Sequence, residues 1–395
     1  MNFIFRTISV FVLLFAFSQL SSAQCIYDPE TNTFKGPDCP NAVQTAVPFL
    51  RISADARTGA LGDIGVAISP DANSVYYNAS KLAYVEKDIA FAVNYTPWLR
   101  DLVKDIYLAG VSGYKKLDDM QSIGFGLRYF NMGEIEFVNP NGEPAGFGRP
   151  NEFDVSLAYA RKLSDKFAIG VTGRFIYSNL AGGQTVDNVD IKAGTAGAVD
   201  LSMFYNTDIK QNQDLSIGLA LTNMGAKVSY TETGISDYIP ANFGLGASWG
   251  IQFDDYNRLN VNGEINKLMV PTPSETDDDG DGIPDFRQYA VVKSIFTSFG
   301  DAETGKEELK EFTWALGLEY WYNEQFAVRG GYFHEAESKG DRQHFTLGLG
   351  LKYQIFGLDL SYLISANGNQ NPLNNTLRFT LRFDFDALRA ENVEE

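Results

Sequence analysis

From Asp88 to Phe385 the chain alternates apolar residues with polar or small ones at a period of two, and no other feature limits its fold as strongly. In 121–131, Ile123, Phe125, Leu127 and Tyr129 share one face and Gly124, Gly126 and Arg128 the other. The same division separates Phe345, Leu347, Leu349, Leu351 and Tyr353 from Thr346, Gly348, Gly350 and Lys352, and Leu377, Phe379, Leu381, Phe383 and Phe385 from Arg378, Thr380, Arg382 and Asp384. Fourteen such runs are predicted as strands: 88–95, 105–114, 121–131, 152–162, 167–177, 196–205, 215–224, 241–253, 258–267, 310–322, 325–335, 341–353, 356–364 and 376–385. Most have the length of a tilted strand crossing a bilayer, and the count is even, as in bacterial barrels.

The connections carry the sharper signal. Odd-numbered ones hold 121 residues in seven and even-numbered ones 27 in six, means of about 17 and 4.5. Outer-membrane barrels have this asymmetry, with short periplasmic turns and long outer loops. It places both ends of the barrel at the periplasm. Aromatics near strand ends (Tyr95, Trp98, Tyr114, Trp249, Tyr320, Trp321, Tyr322, Tyr353) suit the lipid–water interface. The expected fold is therefore all-β: a 14-stranded antiparallel transmembrane barrel with an apolar exterior and a polar bore. A soluble sandwich or β-helix is the rival, since it too alternates; loop asymmetry and strand length decide against it.

Charge narrows function. With 32 Lys and Arg against 50 Asp and Glu the net charge is −18, which repels nucleic acid. Two histidines leave little for His-based catalysis. Residues 1–23 read as a cleavable export signal, with Arg6, an apolar run and Ser21-Ser22-Ala23 as the cleavage site. Gln24 stands where lipid attachment at Cys25 would want a small residue. Export makes a disulfide between Cys25 and Cys39 the expected state of the two thiols. Residues 24–47 form a periplasmic lead, 48–87 a segment without alternation, 88–385 the barrel and 386–395 a short periplasmic tail.

Residues 48–87 mix small residues with acid and base. They can fold within the bore as a plug, with Arg51, Asp55, Arg57, Asp63, Asp71, Asn73 and Asn78 meeting the polar wall, or serve as a plain periplasmic lead-in. The order of signal, Cys-containing lead, Pro48-Phe49-Leu50-Arg51-Ile52, Asp55-Ala56-Arg57, Gly62-Asp63, Ser69-Pro70-Asp71-Ala72-Asn73-Ser74 and Tyr77-Asn78-Ala79-Ser80-Lys81-Leu82-Ala83 resembles the PorV (LptO) family of the Bacteroidetes type IX secretion system. That family is related to the FadL outer-membrane transporters, fourteen-stranded barrels with an N-terminal hatch. The resemblance implies a non-enzymatic outer-membrane shuttle. It would bind the C-terminal signal domain of secreted cargo at the translocon pore protein and deliver it to a cell-surface sortase complex, with long loops at 132–151, 178–195, 225–240 and 268–309 as the working surface. The alternative is a FadL-like channel for hydrophobic small molecules.

One motif points to a metal and none to an organic cofactor. Asp277, Asp279, Asp281 and Asp285 stand at positions 1, 3, 5 and 9 of an oxygen-rich loop, with Gly282 at 6 for the turn and the Ile283 carbonyl at 7, as Ca²⁺ requires. Position 12 is Gln288, so the bidentate carboxylate of a full EF-hand is missing. A solvated acidic loop is the plainer alternative. Gly110-Val111-Ser112-Gly113 lacks the spacing of a nucleophile elbow, and His334 and His344 merely flank a short loop.

Overall fold

The computed structural model describes residues 26–28, 33–35, 41–98, 105–138, 142, 144–181, 185–186, 189–231, 236–274, 276–366 and 375–386. The export signal, Cys25 and Cys39 with their expected bond, and the tail beyond 386 lie outside the described residues.

Fourteen antiparallel strands close into one barrel: β1 (Ile89–Pro97), β2 (Ile106–Lys116), β3 (Gln121–Met132), β4 (Asn151–Ser164), β5 (Phe167–Asn179), β6 (Gly194–Lys210), β7 (Gln213–Gly225), β8 (Asn242–Gln252), β9 (Asn257–Leu268), β10 (Thr313–Tyr322), β11 (Phe326–His334), β12 (Gln343–Tyr353), β13 (Phe356–Ser365) and β14 (Leu377–Phe385). Each pairs with its chain neighbour, and β14 closes on β1 from Phe379 opposite Tyr95 to Phe385 opposite Ile89. Closure leaves no strand edge, so backbone hydrogen bonds are met within the wall even in hydrocarbon. The alternation sorts as expected: on β1, Phe91, Val93 and Tyr95 are exposed while Ala90, Ala92 and Asn94 are buried.

Strand positions follow the sequence pattern closely, and the largest departure has a physical cause. A nine-residue connection is expected after the sixth strand, yet β6 and β7 run on to a two-residue turn, with Lys210 opposite Gln213. Thr207, Asp208, Ile209 and Lys210 are solvated beyond the lipid, where alternation has no reason to persist while pairing continues. Two aromatics expected at the lipid interface instead face inward. Tyr114 is 5% exposed on the lumenal face of β2, and Trp321 lies under the Arg329 guanidinium, 5.3 Å from its ring centre. Tyr95, Trp249, Tyr320, Tyr322 and Tyr353 do face outward.

The bore is filled. Residues 48–84 fold as four short helical turns (Pro48–Arg51, Ala56–Ala60, Ser74–Tyr77 and Ala79–Tyr84) packed against the inner wall of the barrel. Wall glycines make room for them. A Cβ on Gly331 would lie 2.2 Å from the Leu61 carbonyl carbon, and one on Gly170 2.4 Å from the Ser80 nitrogen, so plug backbone touches wall backbone. Glycine on the inward face of the strands is therefore a fitting device as well as a filler of the alternation.

The direction of the plug corrects one expectation. Residues 41–47, assigned to a lead on the short-turn side, lie at the opposite end: the Asn41 amide donates to Ser338 O, in the β11–β12 connection, and that of Ala46 to Tyr238 O, in the long β7–β8 loop, both at the end where the long loops gather. Phe49 then stacks on Phe130, near the long-loop end of β3. The chain descends through the bore and leaves at the short-turn side, where the Lys116 amide donates to Asp88 O at 2.7 Å. Sequence patterning allows a segment to fill the bore but does not encode its direction, which is set by contacts such as these.

Candidate functional site

Plug and wall are joined by buried charge. Arg57 donates from Nε to Glu319 Oε1 at 2.9 Å and from Nη2 to Oε2 at 3.0 Å, while its Nη1 reaches Asp71 at 3.0 Å. Glu319 also accepts from Arg329 Nε at 2.8 Å, and Arg329 continues to Asp359 at 2.7 Å, which Arg382 approaches at 2.9 Å. A second ladder links Arg128 to Asp154, Asp154 to Arg174 and Arg174 to Asp200, each within 2.7 Å. All these groups except the half-buried Asp71 are buried, so each charge relies on its partner.

Of the seven polar plug residues expected at the wall, four meet strands. Arg57 reaches β10 through Glu319. Asp63 lies 3.5 Å from both Arg378 and His344. Asn73 accepts from Asn94 at 2.8 Å and Ser112 at 2.7 Å, and Asn78 donates to Met203 O at 3.1 Å. Arg51 meets the rim instead, 3.3 Å from Glu335, which Arg342 also binds. Asp55 and Asp71 serve the plug itself: Asp55 caps Ala56–Ala60 by accepting from the Thr58 amide at 2.9 Å and takes the Tyr77 hydroxyl at 2.8 Å, and Asp71 pairs with Arg57.

Sequence reasoning missed Lys81 and Glu264. The Lys81 ammonium donates to Gly65 O at 2.6 Å, and Glu264 accepts from the Gly65 and Val66 amides at 2.8 Å each. The inward parity of Glu264 on its strand was the available signal. Burial pushes Lys81 down to about 8, against the opposing pull of Asp71. For Asp63, burial raises the carboxyl, but Arg378 and His344 outweigh it and hold the group well below the usual carboxylate range.

A cavity of about 130 Å³ remains between plug and wall, and its lining mixes the charged Arg51, Asp63, Arg128, Glu264 and Arg342 with Leu50, Ile52, Val66, Tyr76 and Phe333. The polar part of that lining suits water. His334 and His344 sit on opposite faces of the wall. The first stacks on the outward Trp314 and the second on the inward Phe333, so they form no joint site.

In the longest loop the acidic motif is partly assembled. Carboxylate oxygens of Asp277, Asp279 and Asp285 all lie within 4.8 Å of one another. Asp277 accepts from the Gly280 amide at 2.8 Å and the Gly282 amide at 2.9 Å, with both glycines at positive φ. Asp281 stands apart from the three: its carboxylate and the Ile283 carbonyl take the Gln288 amide at 3.0 and 3.2 Å. Tyr238 holds the loop's base by donating to the Phe286 and Tyr289 carbonyls at 2.9 and 2.7 Å, assisted by an Arg287–Asp237 pair.

Comparison with known proteins gives one family. The model described as "Type IX secretion system protein PorV" matches residues 37–275, more than half the chain. No curated protein matches. Among solved structures, the toluene transporter TbuX of Ralstonia pickettii is 12% identical with a TM-score of 0.49 over 84% of this chain and 98% of that one. A FadL homologue of Pseudomonas aeruginosa is 12% identical with a TM-score of 0.44 over 88% and 100%. The toluene transporter TodX of Pseudomonas putida is 11% identical with a TM-score of 0.47 over 87% and 98%.

Proposed function

Because the chain belongs to the PorV family of type IX secretion system proteins, outer-membrane β-barrels, we propose that it is a shuttle: it takes the C-terminal signal domain of secreted cargo at the translocon pore protein and passes it to a cell-surface sortase complex. One observation carries this reading. The bore is packed with an ion-paired plug, while all the long connections gather at one end of the barrel. A folded cargo domain is too large for the bore and needs an exposed surface of loops on a rigid base. The loops have such a base, since the longest is anchored on its neighbour through Tyr238.

A channel for hydrophobic small molecules needs a predominantly apolar pocket on its route, and the five charged side chains in the mixed lining between plug and wall, with the ion pairs that hold the plug, favour the shuttle. The loop carboxylates of Asp277, Asp279 and Asp285 are the donors that would hold Ca²⁺, stiffening the tip of the longest loop; hard oxygen ligands fit that ion. Deleting the gene tests the shuttle: proteins bearing C-terminal signals should accumulate in the periplasm. Normal surface delivery in that strain would defeat the proposal.

A further inference from the structure

Lys267 lies on the wrong face of the wall for a charge. In β9 it shares the outward parity of Gly263 and Ile265, and it pairs directly with Phe243, which is on the outward face of β8 with Leu245 and Trp249. Phe243 is six residues above Trp249. At ~3.4 Å per residue and a tilt of about 40° that is roughly 16 Å along the membrane normal, inside an apolar band about 25 Å tall. An ammonium presented there to lipid is costly, yet Lys267 is only 1% exposed.

What covers it is the longest loop, which runs from the mouth, where Glu307 and Glu311 also pair with Lys339 at 2.9 and 3.0 Å, to the outer face of β8. Glu308 and Glu311 pair with the Lys267 ammonium at 2.9 and 2.5 Å, and the rings of Phe299 and Phe312 lie 5.8 and 5.6 Å from it. Phe299 also packs edge-on against Phe243, at 5.8 Å between ring centres. The first part of the covering segment turns its apolar residues outward. In the helix Val291–Thr297, Ser294 is fully buried, as is Ser298 just beyond it, while Val292 and Phe296 are 69% and 76% exposed, with Lys293 beside them; the helix Gly305–Lys310 instead exposes Lys306 and Lys310 around Leu309.

The geometry points to a lipid contact: residues 291–299 lie in the outer leaflet as a flap against β8 and β9, with Val292 and Phe296 facing acyl chains and extending the apolar belt of the barrel, while the charged 303–311 stay at the mouth. The loop covers Lys267, and the exposed face of the flap continues the lipid-facing surface through Phe299 and Phe243. This fixes the base of the longest loop to the membrane while its acidic tip stays in water.

Nitroxide labels test the assignment on the full mature chain in phospholipid nanodiscs, with Cys25→Ser and Cys39→Ser and one thiol at a time: Val292→Cys, Phe296→Cys, and Gly280→Cys at the tip. Labels at 292 and 296 should collide with oxygen in preference to a water-soluble nickel chelate, with the ratio inverted several-fold at 280. Equal nickel accessibility at 296 and 280 would overturn the proposal and leave this face for a protein partner. Phe296→Trp preserves the apolar side chain should a thiol variant fail to fold. Its added fluorescence should be quenched by lipids brominated on the acyl chain, and unquenched added emission would likewise refute the contact.

Discussion

Glu319 is the point at which plug and wall share charge, and removing that charge should loosen the plug without dismantling the barrel. Its carboxylate takes two hydrogen bonds from Arg57, one from Arg329 and one from Asn260 at 3.1 Å, and its side chain is 1% exposed. In Glu319→Gln the shape and one acceptor oxygen survive, but Arg57 is left with a single carboxylate, Asp71, beside its bonds to Ser69, and Arg329 with a single carboxylate, Asp359. Breaking a buried pair from one side costs about 3–5 kcal/mol. The two surviving acids place this case near the lower end, about 3 kcal/mol, or a little over a hundredfold in the docking equilibrium of the plug. The wall keeps its ladder hydrogen bonds, so the loss falls on the plug. Planar-bilayer recording reads it directly: wild-type protein should be closed, and Glu319→Gln should show openings whose occupancy rises by that factor. Adding Arg57→Met should restore part of the loss, because the stranded guanidinium is then gone and the two effects couple. A variant as closed as wild type, or a double variant whose cost is the simple sum, would refute the account of the plug as charge-locked.

Other outcomes follow from the same geometry. Gly331→Val should displace Leu61 and Gly62 from β11 and lower the thermal transition seen by heat modifiability on gels, whereas Gly330→Val on the lipid face should leave it nearly unchanged. Calorimetry on metal-stripped protein should show a heat of Ca²⁺ binding that is lost in Asp285→Asn and retained in Asp278→Asn, since the first joins the carboxylate cluster and the second does not. Asp63 has a folded pKa below its unfolded one, so its contribution to stability is present above the usual carboxylate value of ~3.9 and is lost as pH falls below it. The stability gap between wild type and Asp63→Asn should thus hold steady near neutrality and shrink under acid titration. Gln44→Cys should react with an impermeant maleimide on intact cells, because residue 44 is exposed at the long-loop end; labelling only after lysis would reverse the direction assigned to the plug.

The barrel was legible because bilayer and bore impose opposite chemistry on successive residues, and Phe91, Val93 and Tyr95 against Ala90, Ala92 and Asn94 record that directly. Legibility ended where one of those environments ended. Beyond the lipid, Thr207 to Lys210 still pair but no longer alternate; inside the bore, Tyr114 and Trp321 are aromatics at strand ends whose parity, not their type, decides their place. The plug's polar residues were identifiable as a set, but their partners were not: Arg57 and Glu319 are separated by 262 positions, and nothing local to either announces the other. The flap was hidden for a further reason. Lys267 looks like an ordinary strand-end cation until its pairing with Phe243 shows which way it points.

Contact between the backbone of Leu61 and Gly62 and that of the strand carrying Gly331 has a consequence for biogenesis. A passage that tight admits no threading, and residues 41–47 lie at the far mouth. The sheet must then be wound around an already seated stopper, with the β14–β1 seam sealed last, so the first forty-odd residues of the folded chain act as the mandrel on which the cylinder is made.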